Sequence, residues 1–159
     1  MSPRNLNPEQ FDIDHTTSPL TYPASSGPVQ RLVVRHPEAT AGVEKPESYL
    51  DETQRVVSRG KTGKPLKKPK VEVKPGAGEN AAGFVDYEKH GDAIHIHYMK
   101  TRNHLQGSGV AQTALETLIN THNPSAVNFG KMMDPAVGHI MGKVGQKHPN
   151  IRVSGKVEY

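Results

Sequence analysis

There is no cysteine anywhere in the 159 residues. Its absence removes disulfides, thiolate zinc sites and cysteine nucleophiles from consideration. Tryptophan is also missing, aromatic residues make up only 5% and hydrophobic residues 33%. So thin an apolar supply suits one ordinary domain with part of the chain left outside the packed core. No run is apolar enough to span a bilayer, and no membrane partner is expected. The opening MSPRNLNPEQFD lacks a basic stretch followed by an apolar one, so it does not read as a secretory signal. The expectation is a soluble, cytoplasmic protein. Lys and Arg exceed Asp and Glu by 20 to 16, a mild positive balance compatible with anionic partners and selecting none of them.

Proline and glycine are well supplied, at 13 and 15 residues, and point to long connections. Residues 1–28 hold Pro3, Pro8, Pro19, Pro23 and Pro28 with little periodicity. They read as an irregular N-terminal extension, and residues 29–159 as the folded domain. Arg31 to Arg35 is a short strand candidate. Pro46 suits a first helical turn, and Tyr49, Leu50, Thr53, Val56 and Val57 fall on one helical face, so a helix is expected up to Gly60. Lys61 to Lys70, KTGKPLKKPK, reads as a basic, proline-broken linker. It is either a solvated loop or an electrostatic contact to phosphate, and without interleaved aromatics such a contact would carry little sequence specificity.

Val71 to Val73 alternates like an edge strand, and Ala81 to Tyr87 like a second one. After the turn residues His90-Gly91-Asp92, Ala93 to Thr101 alternates clearly. Ile94, Ile96 and Tyr98 are expected on one face and His95, His97 and Met99 on the other, the signature of a hairpin. Gly109 to His122 is a helix with the stripe Val110, Ala111, Ala114, Leu115, Leu118, Ile119, closed by Asn123-Pro124. Ala126 to Phe129 is a short strand. Asp134-Pro135 opens a last helix whose buried face is Ala136, Val137, Ile140, Met141 and Val144, and residues 151–159 close the chain as strand material. This order gives the α/β class, of α+β type: a mixed, mostly antiparallel sheet flanked by helices.

The segment that carries chemistry lies between the strand ending near Thr101 and the helix starting near Gly109. The first N–H groups of a helix have no internal partners, and the helix dipole adds positive potential there, so a phosphate at that point accepts several N–H bonds at once. Close approach of backbone to phosphate needs small residues, and Gly107, Ser108 and Gly109 supply them, with Ala111 as the next small position. No G-x-G-x-x-G within a repeated βαβ unit surrounds the loop, which sets aside a dinucleotide fold. Gly109 is not followed by Lys and Ser or Thr, which sets aside a Walker loop.

The pattern Gln106-Gly107-Ser108-Gly109-Val110-Ala111, between an amphipathic strand and an amphipathic helix, resembles the acyl-CoA signature of the GNAT superfamily of N-acetyltransferases. The element order from about Arg31 to Tyr159 resembles that fold as well. The resemblance implies acetyl-CoA, or another acyl-CoA, as donor and direct transfer to an amine, on a small molecule or a protein. It implies that Met99, Lys100 and Thr101 hydrogen-bond the pantetheine through the backbone of a strand splayed from its neighbour. The amides from Gly107 to Ala111, after Gln106, would hold the pyrophosphate, and Asn128 would border the same cleft. Members often carry an Asn opening the later helix and a Tyr within it that protonates the leaving thiolate; here Asp134 and Met141 stand near those positions, and Gly145 is followed by Gln146.

A base near neutral pH helps an amine act as nucleophile, and His95 and His97, on the strand leading to the loop, are the candidates. His139 on the later helix is a candidate substitute acid. The His-x-His spacing alone assigns no metal site. Two readings stay open: an N-acyltransferase, or a catalytically inert GNAT-fold binding module that contacts protein or nucleic acid through its N-terminal arm and basic linker. Neither the acceptor, whose pocket would fall between Pro37 and Pro69, nor the oligomeric state is written in the sequence.

Overall fold

Two strands of contrasting character form the centre of the molecule. In the computed structural model, which describes residues 8–20, 22, 25–41, 43, 45–47, 49–59, 62–132 and 135–157, they are β5 (Ala81–His90) and β6 (Ala93–Thr101). The first eight residues of β5 are buried, because both of its faces are covered. The chain reverses at Gly91, whose φ of +60° suits glycine. Four strands complete the sheet: β1 (Asp12–Thr17), β2 (Gln30–Arg35), β7 (Ala126–Met132) and β8 (Arg152–Val157). Their spatial order is β1-β2-β5-β6-β7-β8. The first three pairings are antiparallel, and β6–β7 and β7–β8 are parallel. Parallel neighbours need crossover connections, here supplied by α1 (Val110–His122) and α2 (Pro135–Lys147). The expected mixed sheet flanked by helices is therefore the fold.

One face of the sheet carries the main core. Val110, Ala114, Leu115, Leu118 and Ile119 of α1 pack with Leu32, Val85, Ile94, Ile96, Val127 and Phe129, and Val137 and Val144 of α2 join the same cluster. Each large aliphatic side chain so buried contributes about 1.5–3 kcal/mol. A smaller cluster of Val33, Leu50, Ala77, Ala81 and Phe84, flanked by Tyr98, lies apart from it. Residue 83 must be glycine for α1 to seat: a Cβ there would lie 2.6 Å from the Lys100 carbonyl oxygen and 2.8 Å from Val110 Cγ1.

The structure departs from the sequence reading in four places. The helix expected from Pro46 to Gly60 is instead strand β3 (Glu52–Arg59), paired antiparallel with β4 (Pro65–Pro75) in a separate two-stranded ribbon. Thr53, Val56 and Val57 are β-branched and favour the extended form once a partner is present. The expected basic linker supplies that partner; its prolines are tolerated because a ribbon strand has a free edge. Next, the segment read as an irregular extension contributes β1, an edge strand in register from Asp12↔Arg35 to Thr17↔Gln30. Its side chains are mostly exposed, so backbone pairing holds it and no apolar alternation announces it.

The third difference is a bulge. Asp86 faces Tyr98 while Tyr87 faces Ile96, leaving His97 as an extra residue on β6. Alternation slips there by one. Tyr98 therefore joins the Phe84 cluster, and Met99 packs with the cluster of Ile94 and Ile96. Last, Ala126–Phe129 continues through Gly130, at φ +60°, to Met132. The cap expected at Asp134 lies outside the described residues.

Candidate functional site

Strands β6 and β7 pair only at Ala93↔Ala126, Ile94↔Val127 and His95↔Asn128. Beyond that point they part. β6 runs on to Thr101 against β5, and β7 runs on to Met132 against β8. A cavity of about 250 Å³ lies by the free end of β6. Met99 and Thr101 of β6 line it, re-aimed to this side by the bulge at His97. Gln106, Gly107 and Gly109 come from the loop, and Val110, Ala111 and Gln112 from the first turn of α1. Ala136, Val137, His139, Ile140 and Lys143 close it from α2.

The loop has a defined shape. Ser108 N–H donates to Leu105 O at 3.0 Å after a short 3-10 turn over Asn103–Leu105. Gly107 and Gly109 then take φ of +86° and +85°, which other L-residues adopt only under strain. The glycines thus serve the turn itself as well as any close approach. Gly109 is the N-cap and has no side-chain capping bond, and the first helical bond runs from Thr113 N–H to Gly109 O at 2.9 Å. The amides of Val110, Ala111 and Gln112 therefore lack an intrahelical partner, and a Cβ on Gly109 would meet nothing within 4 Å.

The electrostatics favour an anion. Neither helix has an acidic residue in its first turn, and among the described residues no carboxylate lines the cavity. Lys143 adds a cation to the positive end of the α1 dipole. Met99, Val110, Val137 and Ile140 make the remaining wall apolar. A ligand with an anionic head and a long, partly apolar arm matches that distribution.

The expected site residues divide into two groups. Met99, Thr101, Gln106, Gly107, Gly109, Val110, Ala111 and His139 come together around the cavity. The Lys100 side chain is instead 3.0 Å from Glu47, in an ion pair. Ser108 lies in the turn without lining the cavity, and Asn128 accepts a 2.7 Å bond from Gly130 N–H at the strand end. His95 and His97 belong to the other face of the sheet, with ring centroids 4.7 Å apart. His97 Nε2 is 2.6 Å from Glu88 Oε1, and Tyr22 stacks on the ring at 5.0 Å. His95 is the last β6 residue paired to β7, so it stands where the strands diverge, and a Cβ on Gly130 would lie 3.5 Å from its Cε1.

Protonation follows from these surroundings. Burial, reinforced by His97 and His90, holds the His95 imidazole below its ordinary value, so it is neutral at pH 7. Burial alone would raise the Glu88 carboxyl, but hydrogen bonds from His97 and from the Ser26 hydroxyl and amide outweigh it and keep it below the usual carboxylate range. Burial, together with the 2.6 Å bond to Asp86, pushes the Tyr22 phenol well up. Among the described residues, no group of three or more His, Asp or Glu is arranged to hold a metal ion, and no helix is long and apolar enough to cross a membrane.

Sequence reasoning missed Lys143 and Gln112. The signal was the i, i+4 spacing of His139 and Lys143, which puts both on one face of α2. It missed the buried charges entirely. Arg31 and Asp86, with side chains 1% and 0% exposed, pair at 2.7 Å, and Arg102 makes two 2.8 Å bonds to Asp51. The chain matches no protein-family model, no curated protein and no solved structure.

Proposed function

We propose that this protein is an acyl-CoA-dependent N-acyltransferase of the kind found in the GNAT superfamily, with acetyl-CoA as donor and direct transfer to an amine. The observation that carries the reading is the parting of β6 from β7 beside a helix start without a side-chain cap, in a cavity that Lys143 lines and, among the described residues, no carboxylate does. On this reading the amides of Val110, Ala111 and Gln112 receive the pyrophosphate, with Lys143 opposite. The free backbone edge of β6 near Met99 and Thr101 takes the amides of the pantetheine arm, as a missing strand would.

The chemistry then needs a base at the fork. The amine nitrogen attacks the thioester carbonyl carbon, and its surplus proton passes to the neutral imidazole of His95, directly or through water. His97 packs edge-on against that ring, and the nearby Glu88 carboxylate favours its charge once protonated. An N–H of the parted strand stabilises the oxyanion. The C–S bond breaks with its electron pair on sulfur, and the thiolate takes a proton; His139 is the cavity-lining group for that step.

A second reading is favoured by one observation: α2, PAVGHIMGKVGQK, contains no tyrosine to protonate the thiolate. On it the domain binds acyl-CoA without turnover. Thermal shift with acetyl-CoA, followed by CoA release over an amine panel, separates the two. Binding with release establishes the transferase, binding without release for any amine establishes the inert module, and no binding overturns both.

A further inference from the structure

We infer that the β3–β4 ribbon is a contact arm for double-stranded DNA, gripping its phosphates without reading its sequence. The inference does not depend on the acyl-CoA reading. Residues 52–75 contain eight Lys and Arg against two Glu, six net positive charges in a chain whose net charge is only +4. The rest of the chain is net acidic, so the positive field is concentrated on this element.

The ribbon is built as an appendage with a fixed root. Its strands form a sheet of their own. At the root Leu50 is fully buried, and Asp51 is held by the buried Arg102 guanidinium at 2.8 Å. Next to the turn, Lys64, Lys67 and Lys68 are exposed. Lys67 and Lys68 sit where the register shifts between the pairings Val57↔Lys70 and Arg59↔Pro65, an irregularity that raises local twist.

The partner class follows from what the ribbon has and lacks. It contains no aromatic residue, so base stacking on a single strand has no platform and a membrane surface has no aromatic anchor. Pro65, Pro69 and Pro75 remove N–H donors from β4, which disfavours adding a protein strand to it. What remains is repeated lysine charge on a narrow two-stranded element. B-DNA's major groove, about 12 Å wide, admits such a ribbon, whereas that of A-form RNA is too narrow. The 11 residues of β4 span roughly 30–36 Å, about one turn of the duplex.

The test is fluorescence anisotropy of the full chain on a labelled 20-base-pair DNA duplex, from about 50 to 200 mM salt. Two duplexes of unrelated sequence should bind within about twofold of each other. The triple variant Lys64→Ala, Lys67→Ala, Lys68→Ala should bind at least about tenfold more weakly at low salt, with a logarithmic salt slope shallower by about 2.7, at about 0.9 per lost phosphate contact. Exposed Lys89→Ala should leave both unchanged, and circular dichroism should show every variant folded. A triple variant that binds like the parent overturns the inference. So does tighter binding to single-stranded DNA, to duplex RNA, or to vesicles rich in anionic lipid.

Discussion

Gly83→Ala tests the seating of α1 and, through it, the cavity. The added methyl would sit 2.6 Å from the Lys100 carbonyl oxygen, 2.8 Å from Val110 Cγ1 and 3.3 Å from Thr101 Cα. Two of those neighbours are backbone of β6, so relief requires the free end of β6, the start of α1, or both, to move. Overpacking of this kind costs about 1–3 kcal/mol, and the entropy that alanine removes from the unfolded chain returns less than about 1 kcal/mol of it. The net loss of about 1–2 kcal/mol, at about 2–4 °C per kcal/mol for a chain of this size, should lower Tm by roughly 2–8 °C. Gly142→Ala in α2 is the matched control. A methyl there meets nothing within 4 Å, and helix propensity alone should raise Tm by roughly 2–4 °C. The cavity wall shifts only in the first variant, so the stabilisation that acetyl-CoA gives the parent should shrink for Gly83→Ala and persist for Gly142→Ala. A Gly83→Ala protein within 1 °C or so of the parent would refute the steric reasoning. A large Tm loss with the full acetyl-CoA shift retained would refute the link between helix seating and ligand.

Lys143→Ala removes the cation facing the start of α1 and should weaken acetyl-CoA binding about tenfold by calorimetry, the low end for a charge-assisted bond, with Tm nearly unchanged. Glu88→Gln leaves His97 without its carboxylate; the acidic limb of the rate profile should move, while acetyl-CoA affinity stays within about twofold because Glu88 is not at the cavity. Stability should also fall on acidification in two stages. His95 and His122 are held below 6.5, chiefly by burial, so their contribution is complete above that pH and is lost as pH drops through their lowered values. Asp51, held below 3.8 chiefly by its bond from Arg102, and Glu88, held below 4.5, lose theirs at lower pH in the same direction. Asp51→Asn should flatten the lower stage and reduce Tm at pH 7, because the fully buried Arg102 loses its two-pronged carboxylate partner and keeps only the more distant Glu47, at 3.9 Å.

How much of this was legible depends on where the physical signal sits. The stripe on α1, the alternation of Ala93–Thr101 and the glycines of QGSGVA are local, and they placed a strand, a loop and a helix start where the structure has them. The bulge at His97 is not local. It appears only in the pairing of β6 with β5, and it decides that Met99, rather than Tyr98, joins the cluster that α1 covers. The ribbon was hidden for a related reason. Tyr49, Leu50, Thr53, Val56 and Val57 fit a helical period, and only pairing with a proline-bearing partner in β4 makes Thr53, Val56 and Val57 extended. β1 left no apolar trace because its side chains mostly face solvent. Lys143 lies in a cavity that exists only once α1 and α2, separated by β7 in the chain, come together.

The buried charges raise a separate question, since removing them from water is costly and an apolar pair would often stabilise as much. Their positions suggest what they accomplish. Asp86 receives Arg31 from the adjacent strand and, at 2.7 and 2.6 Å, the hydroxyls of Ser18 and Tyr22. Glu88 receives Ser26 and His97, and Arg102 binds both Asp51 and the Ala81 carbonyl. Each carboxylate thus ties the sheet to chain whose sequence has no regular apolar pattern of its own. Arg31 is further placed over the Phe84 ring at 3.8 Å, which compensates for its Nη1, left without a hydrogen-bond partner among the described residues. Hydrophobic contacts alone would let such segments slide, because they are not directional. Hydrogen bonds to a buried carboxylate accept one geometry. On that account Asp86→Leu, which keeps the branched shape but accepts no hydrogen bond, should loosen Ser18 and Tyr22 more than the core. Hydrogen exchange would then rise there first, while the amides of α1 keep their protection; a uniform rise through the sheet would show instead that the cluster supports stability and not register.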